Sequence, residues 1–256
     1  MMSPPGNASP PGLARGPETP DERLLAKEPE RIAGMFDAIA PRYDVLNRLL
    51  SAGRDRQWRR KAVQALALRP SEVIVDVCTG TADVLLEALT RQPQLDRAIG
   101  IDFSHEMLTR GLHKLERAGA SRAVLARADA TQLPLAAESA DAAAIAFGIR
   151  NVQRPERACA ELARVLRPGG RLAVLEFGLP QSRLFRGLYL WYARRILPMV
   201  GRLVSRHGHA YSYLPKSVGR FPPPETFGQL LQANGFPHVT IVPLTLGIVY
   251  LYIARK

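Results

Sequence analysis

The spacing of apolar residues changes near residue 70, and that change divides the chain. From about Glu22 to Leu68 they recur at helical intervals, with breaks at Pro41 and near Gly53, so helices are expected there. Beyond that point short apolar, β-branched runs take over: EVIVDVC, RAIGIDF, AVLARADA, AAAIAFG and RLAVLEFG read as strands. DVLLEALTRQ and SHEMLTRGLHKLERAG lie between the first three, and ERACAELARVL precedes the fifth; all three carry helical spacing. Such alternation predicts βαβ units, hence a parallel sheet with helices on both faces. PETFGQLLQANG reads as a last helix, with Gly235 as its C-cap. HVTIVPL and GIVYLYIARK then follow with only Thr245 and Leu246 between their apolar runs. With no helix to cross over, one of this terminal pair must run antiparallel to the rest. The expected fold is therefore a doubly wound, seven-stranded α/β sheet with an antiparallel C-terminal strand.

Two stretches stand outside this rhythm. The N-terminal MMSPPGNASPPGLARGPETP is rich in proline and glycine and has almost nothing to bury, so residues 1–21 are expected to be a disordered tail. It lacks the apolar centre of a signal peptide, and no apolar run reaches the roughly 18 residues that suggest a membrane span. Residues 179–221 are too long for a connecting loop and must have structure of their own. The expected layout is one domain over 22–256, with a helical N-terminal cap at 22–70 and an insertion at 179–221.

Composition narrows the partners. Lys and Arg number 35 against 23 Asp and Glu, a formal net charge of +12. That sign favours anionic partners, nucleic acid or lipid headgroups, without choosing between them. Cys78 and Cys159 lie far apart, as do most of the five histidines, so a disulfide and a metal site are both unexpected.

In an open parallel sheet the ligand lies at the carboxyl ends of the strands, so the residues there should describe it. The first strand ends in Asp76-Val-Cys-Thr-Gly-Thr-Ala-Asp83. A dinucleotide site would show G-x-G-x-x-G there, to hold a pyrophosphate on backbone amides. Carboxylates at both ends, Asp76 and Asp83, would repel a pyrophosphate and suit an ammonium and a sulfonium. S-adenosylmethionine carries both and has no phosphate. Asp102, closing the second strand, can accept from a ribose diol. Asp129, beside Ala130 at the end of the third, can accept from an adenine amino group. Gly80 and Thr81 complete the expected cofactor set. Each acid alone could equally be a cap or a turn residue; three at successive strand ends point to S-adenosylmethionine and a class I methyltransferase, Rossmann-like sheet.

With those residues in view, the sequence resembles the menaquinone and ubiquinone C-methyltransferases, over nearly everything from Ile32 to Lys256. The resemblance rests on MFDAIAPRYDVLN at 35–47, WRRKAV at 58–63, FGIRNV at 147–152, RVLRPGGRLAVLEF at 164–177, AYSYLPKSVGRFP at 210–222 and the final GIVYLYIARK. It implies methyl transfer to a ring carbon of a polyprenyl quinol: demethylmenaquinol, or the 2-methoxy-6-polyprenyl benzoquinol of ubiquinone synthesis. The sequence leaves ring, tail length and general base open; a water, His207 and His209 all stand as candidate bases. Where the family's loop usually has glycine this chain has Ala82, which should weaken cofactor binding if φ must be positive there.

A hydroquinone carbon becomes nucleophilic when the neighbouring hydroxyl ionises, and a free phenol has a pKa of about 10. A guanidinium beside the oxygen favours the anion. Arg150, after the fourth strand, is expected to fill that role, with Asn151 orienting the ring oxygen or Arg150 and Tyr43 closing the pocket. The plainer reading is that Arg150 caps a helix or pairs with a surface acid.

A polyprenyl quinol lives in a bilayer, and SRLFRGLYLWYARRILPMVGRLVSR at 182–206 offers a way to reach it. On a helical wheel Leu184, Phe185, Leu188, Trp191 and Tyr192 share one face while Arg183, Arg186 and Arg194 oppose them, with Arg195 out of pattern. That is the pattern of an interfacial helix, or of a lid burying its apolar face in the protein. The expected setting is cytoplasmic, held peripherally at the anionic inner face of the membrane; a homo-oligomer stays open. Nucleic-acid methylation is the main rival. It would call for an Asn or Asp-Pro-Pro-aromatic segment where FGIRN stands, so no nucleic-acid partner is expected. A non-catalytic membrane- or RNA-binding homologue is the other alternative.

Overall fold

The computed structural model describes residues 24–204 and 209–256, so the proposed tail at 1–21 and His207 lie outside the described residues. Among the described residues, the helices α1 (Pro29–Ile39), α2 (Tyr43–Leu50) and α3 (Arg54–Ala65) precede the sheet. Pro29 sits at the first position of α1, where its missing N–H costs nothing. Pro41 falls in a single tight turn between α1 and α2, and Gly53, at φ +75°, starts α3. Both breaks fall where the pattern put them.

The sheet follows as β1 (Val73–Val77), β2 (Arg97–Asp102), β3 (Ala123–Arg127), β4 (Ala140–Ala146), β5 (Leu166–Phe177), β6 (His238–Leu244) and β7 (Val249–Arg255). Its spatial order is β3-β2-β1-β4-β5-β7-β6. β7 runs antiparallel to both β5 and β6, and the other contacts are parallel. The helices are α4 (Asp83–Arg91), α5 (His105–Arg117), α6 (Pro155–Val165), α7 (Arg183–Val204), α8 (His209–Arg220) and α9 (Pro224–Ala233).

The two faces of the sheet are covered separately. Val75, Val77 and Ile145 pack with Leu162 of α6 and with Phe227 and Leu231 of α9. Ile74, Ala142 and Ala144 pack on the other face with Trp58 and Val63 of α3 and Leu85 of α4. Burial on both faces is why β1 and β4 read as unbroken apolar runs. The Arg167–Gly170 turn interrupts the pairing of β5: Leu166 faces Ala140, but Arg171 already faces Ala142, and Gly169 takes φ +76°. Among the described residues no helix is long and apolar enough to cross a membrane.

Candidate active site

The strand order reverses between β1 and β4, and a cavity opens over their carboxyl ends and that of β2, the position where such sheets bind ligands. Asp102 forms its floor. One carboxylate oxygen accepts from the Gly80 amide at 2.9 Å and the other from the Ser104 amide at 2.9 Å, so the loop after β1 is tied to the end of β2. Burial raises the pKa of Asp102 even though those amides pull it the other way. Asp129 also lines the cavity; it accepts from the Thr131 amide at 2.7 Å, so it is a turn residue and a cavity residue at once. Ala130 and Cys78 complete that side. Two carboxylates on one wall provide acceptors for a diol and an amino group, the donor set that S-adenosylmethionine presents.

The other acids expected at this cavity do not line it. Asp83 pairs with Lys114 and, at 3.5 Å, with Arg59. Thr81 donates to Asp44 at 2.7 Å and accepts from Lys114 at 2.9 Å. Asp76 is fully buried: Thr79 donates to one oxygen at 2.6 Å, while the other has no partner. Burial lifts its pKa to about 7. Ala82 does take a positive φ, +63°, at the start of α4. Its methyl group is wholly buried on the far side of the loop, where Gly111 of α5 leaves room for it, and does not reach the cavity. The condition under which Ala82 should weaken cofactor binding, a positive φ, is therefore met, while its methyl group stays out of the cavity.

MFDAIAPRYD fastens the N-terminal cap over this cavity. Asp37 accepts from the Ser104 hydroxyl at 2.5 Å and from the Glu106 amide at 3.2 Å, at the first turn of α5. Asp44 receives Thr81 and, at 2.8 Å, Lys114. Phe36 and Tyr43 are thereby held in the cavity wall, with Lys27 beside them. Lys27 has its pKa lowered by burial, and nothing in the local pattern marked it beforehand.

A second cavity lies behind that wall, and Phe36, Tyr43 and Phe147 belong to both. It offers about 340 Å³ to water-sized occupants, against about 110 Å³ in the first. Trp58, Phe177, Tyr189 and Tyr192 give it an aromatic lining, and Arg54, Arg59 and Arg150 are cations in its wall. Such a space suits a flat ring.

FGIRN shapes the junction. Phe147 takes φ +60°, and a Cβ on Gly148 would stand 2.3 Å from that of Cys78, so only glycine fits. The turn drives Arg150 and Asn151 inward, each 7% exposed. Arg150 donates from one terminal nitrogen to the Phe147 carbonyl at 2.6 Å and to Glu176 at 2.7 Å, while its own amide donates to the other Glu176 oxygen at 3.1 Å. Burial works against its charge, and Glu176, Tyr213 and Tyr43 together outweigh it, leaving its pKa raised. The Nε–H is buried and unpartnered. Arg150 is thus neither a helix cap nor the partner of a surface acid, since Glu176 is fully buried. Asn151 accepts from the Tyr213 hydroxyl at 3.0 Å and lines the first cavity, not the second. Tyr43 sits between them, its pKa raised by burial, opposed by Arg59, by a hydrogen bond with Asn47 and by Arg150.

Sequence reasoning missed Glu176, Tyr213 and Arg59. Glu176 had a signal: a single acid inside LAVLEF, a strand buried on both faces, needs a cation. Arg59 lies within WRRKAV, pairs with Asp55 at 2.7 Å and stands 5.8 Å from the centre of the Phe147 ring. No comparable signal marks Tyr213.

The insertion closes the second cavity. In α7 Tyr189 and Tyr192 face inward, and the Tyr192 hydroxyl donates to the Leu50 carbonyl at 3.1 Å. Leu184, Leu188 and Trp191 are 79%, 61% and 57% exposed. Tyr192 thus departs from the face assigned on the wheel, because α2 is packed against its side of the helix. The side chains of Arg194 and His209 lie outside the described residues.

Residues 24–256 match the family described as the ubiE/COQ5 methyltransferase family. The ubiquinone/menaquinone biosynthesis C-methyltransferase UbiE of Syntrophotalea carbinolica is 50% identical over 218 residues, covering 85% of this chain and 91% of its own. The demethylmenaquinone methyltransferase of Deinococcus radiodurans is 44% identical over 230 residues, covering 89% and 93%. A solved S-adenosylmethionine-dependent methyltransferase from Thermotoga maritima superposes with a TM-score of 0.62 at 21% identity, over 87% of this chain and 99% of that one. One from Aquifex aeolicus gives 0.58 at 18% identity, over 83% and 97%. These two structures share the fold. The chain belongs to the ubiE/COQ5 methyltransferase family, with S-adenosylmethionine as its methyl donor.

Proposed function

We propose that this enzyme methylates a ring carbon of a polyprenyl hydroquinone at an anionic membrane surface, within quinone biosynthesis. The observation that carries this is the pair of adjoining cavities: one with carboxylates at strand ends, one with an aromatic lining and arginines, joined at Phe36, Tyr43 and Phe147. The relatives' names supply the substrate class, a ubiquinone or menaquinone precursor.

S-adenosylmethionine supplies an electrophilic methyl group on a sulfonium. Asp102, Asp129, Ala130 and the Gly80 backbone are placed to hold it, while Asp76, Thr81 and Asp83 act on it through the loop they stabilise. Arg150, Asn151 and Tyr43 serve the ring. Because Glu176 neutralises Arg150, the guanidinium acts on the ring as an oriented donor more than as a free charge. Arg150 lines the second cavity, where a ring oxygen can accept from its guanidinium, and that preference for the anion promotes ionisation of the quinol. Aromatic walls exclude water, which strengthens the same interaction.

The basic chain, at +12, and the exposed Leu184, Leu188 and Trp191 support a peripheral position on the cytoplasmic face of the membrane. We assign residues 22–70 to a cap and 179–221 to a lipid-facing insertion of a single domain. The test is transfer of labelled methyl from S-adenosylmethionine to reduced demethylmenaquinone and reduced demethylated benzoquinone in anionic liposomes, with an RNA control. Label on quinol is expected, and the preferred ring identifies the substrate. Label on RNA alone, or none despite cofactor binding, would refute the reading. Replacing Leu188 and Trp191 with serine should release the protein from vesicles while leaving cofactor binding intact.

A further inference from the structure

Asn151 is a buried amide in the wall of the first cavity, and what it offers a ligand depends on which way its amide faces. Its Oδ1 accepts from the Tyr213 hydroxyl at 3.0 Å. That leaves the two Nδ2 hydrogens as its free groups on the cavity side, where Asn151 forms part of the wall. Tyr213 is itself 2% exposed and reaches this point from α8, 62 residues along the chain. α8 packs on the 149–151 turn and on α1, so the hydroxyl is delivered by the insertion and not by the sheet. The neighbouring Arg150 is held differently, by Glu176 of β5.

We propose that Tyr213 is a positioning residue that fixes the Asn151 amide as a donor toward an anionic oxygen of a ligand in the first cavity. This rests on the methyltransferase reading given above. Two oxygens have the right chemistry: the phenolate of the ring and the carboxylate of the methyl donor's amino-acid moiety. Without the Tyr213 hydroxyl the amide can turn over, presenting Oδ1 to an anion and repelling it. The insertion therefore does more than cover the ring, because it sets the polarity of a group in the site.

Tyr213→Phe removes one oxygen and keeps the ring that fills the space. We expect about a tenfold loss, the scale of one buried hydrogen bond. A fall in kcat with unchanged cofactor affinity identifies the ring oxygen as the acceptor; a weaker cofactor Kd identifies the carboxylate. Because Tyr213 acts through Asn151, the same change in an Asn151→Ala background should cost less than about twofold. Asn151→Asp, which still accepts from Tyr213 but cannot donate, should lose as much as Asn151→Ala. A second readout needs no turnover: the Asn151 side-chain amide resonances should shift and exchange faster with water in Tyr213→Phe. If wild-type protein transfers no methyl to quinol, the earlier reading fails while the resonance still decides this one. Unmoved resonances, or losses that multiply in the double variant, overturn the role of Tyr213. If Tyr213→Phe does not fold, wild-type turnover together with wild-type cofactor affinity in Asn151→Asp overturns it as well, and loss of either supports it.

Discussion

The two cavities share a wall but are made of different parts. The first cavity opens over strand ends, where register sets position: Val77 faces Ile101 in β2 and Ile145 in β4. The ring cavity is built from long side chains on α1–α3, α7, α8 and the FGIRN turn, segments up to about two hundred residues apart. The first inherits its shape from hydrogen bonding within the sheet. The second depends on side-chain pairs such as Arg150–Glu176 and Tyr213–Asn151, each of which a single substitution can break.

The difference is sharpest at Arg150. Arg150→Ala should reduce turnover by on the order of a thousandfold, the loss expected for a donor acting on a developing anion. Cofactor Kd, measured by calorimetry, should move less than about threefold. A variant that methylates normally would refute the mechanism. The same substitution strands the Glu176 charge, so the melting temperature should also fall. Arg150→Met combined with Glu176→Gln should restore stability and not turnover.

Asp76 tests the sheet side through pH. Its folded pKa is about 7, raised by burial from an ordinary carboxylate value. A raised acid contributes its full stability below the unfolded pKa, near 4. That contribution is lost as pH rises toward 7 and is gone above it. Asp76→Asn should therefore stabilise the ligand-free protein by up to ~4 kcal/mol at pH 8, with the gain vanishing toward pH 4. Urea melts of both proteins across that range measure the difference; a gain independent of pH would contradict it.

Asp102→Ala should weaken cofactor binding by about thirtyfold to a hundredfold, since it removes charge-assisted hydrogen bonds worth about 2–3 kcal/mol. It should leave quinol binding alone, which fluorescence quenching of Trp58 can follow. Ala82→Gly should do least. Glycine relieves the positive φ but loses a buried methyl and gains freedom in the unfolded chain, so cofactor Kd should change by less than about twofold. A larger gain would mean that the methyl group does crowd the ligand.

These contrasts explain what could be read in advance. The sheet was legible because short unbroken apolar runs and helical runs alternate, and because a short link between two C-terminal strands admits only an antiparallel pair. Asp102 and Asp129 were legible because strand ends over a switch point are where such sheets bind ligands. Asp76, Asp83 and Thr81 shared that signal and lie elsewhere, since Lys114 and Arg59 on other helices draw Asp83 and Thr81 away and Asp76 turns inward.

The sequence by itself determined the order of elements, the parallel sheet and its antiparallel C-terminal strand, because these follow from local periodicity and the length of the connections. It also placed FGIRN at the mouth of β4. Only the tertiary structure decided that Glu176 neutralises Arg150, that Tyr213 holds Asn151 and that the Ala82 methyl points away from the cavity. Those outcomes depend on which side chains meet after α7, α8 and β5 have packed. Spacing along a chain does not encode the direction of a buried side chain when its partner is tens of residues away.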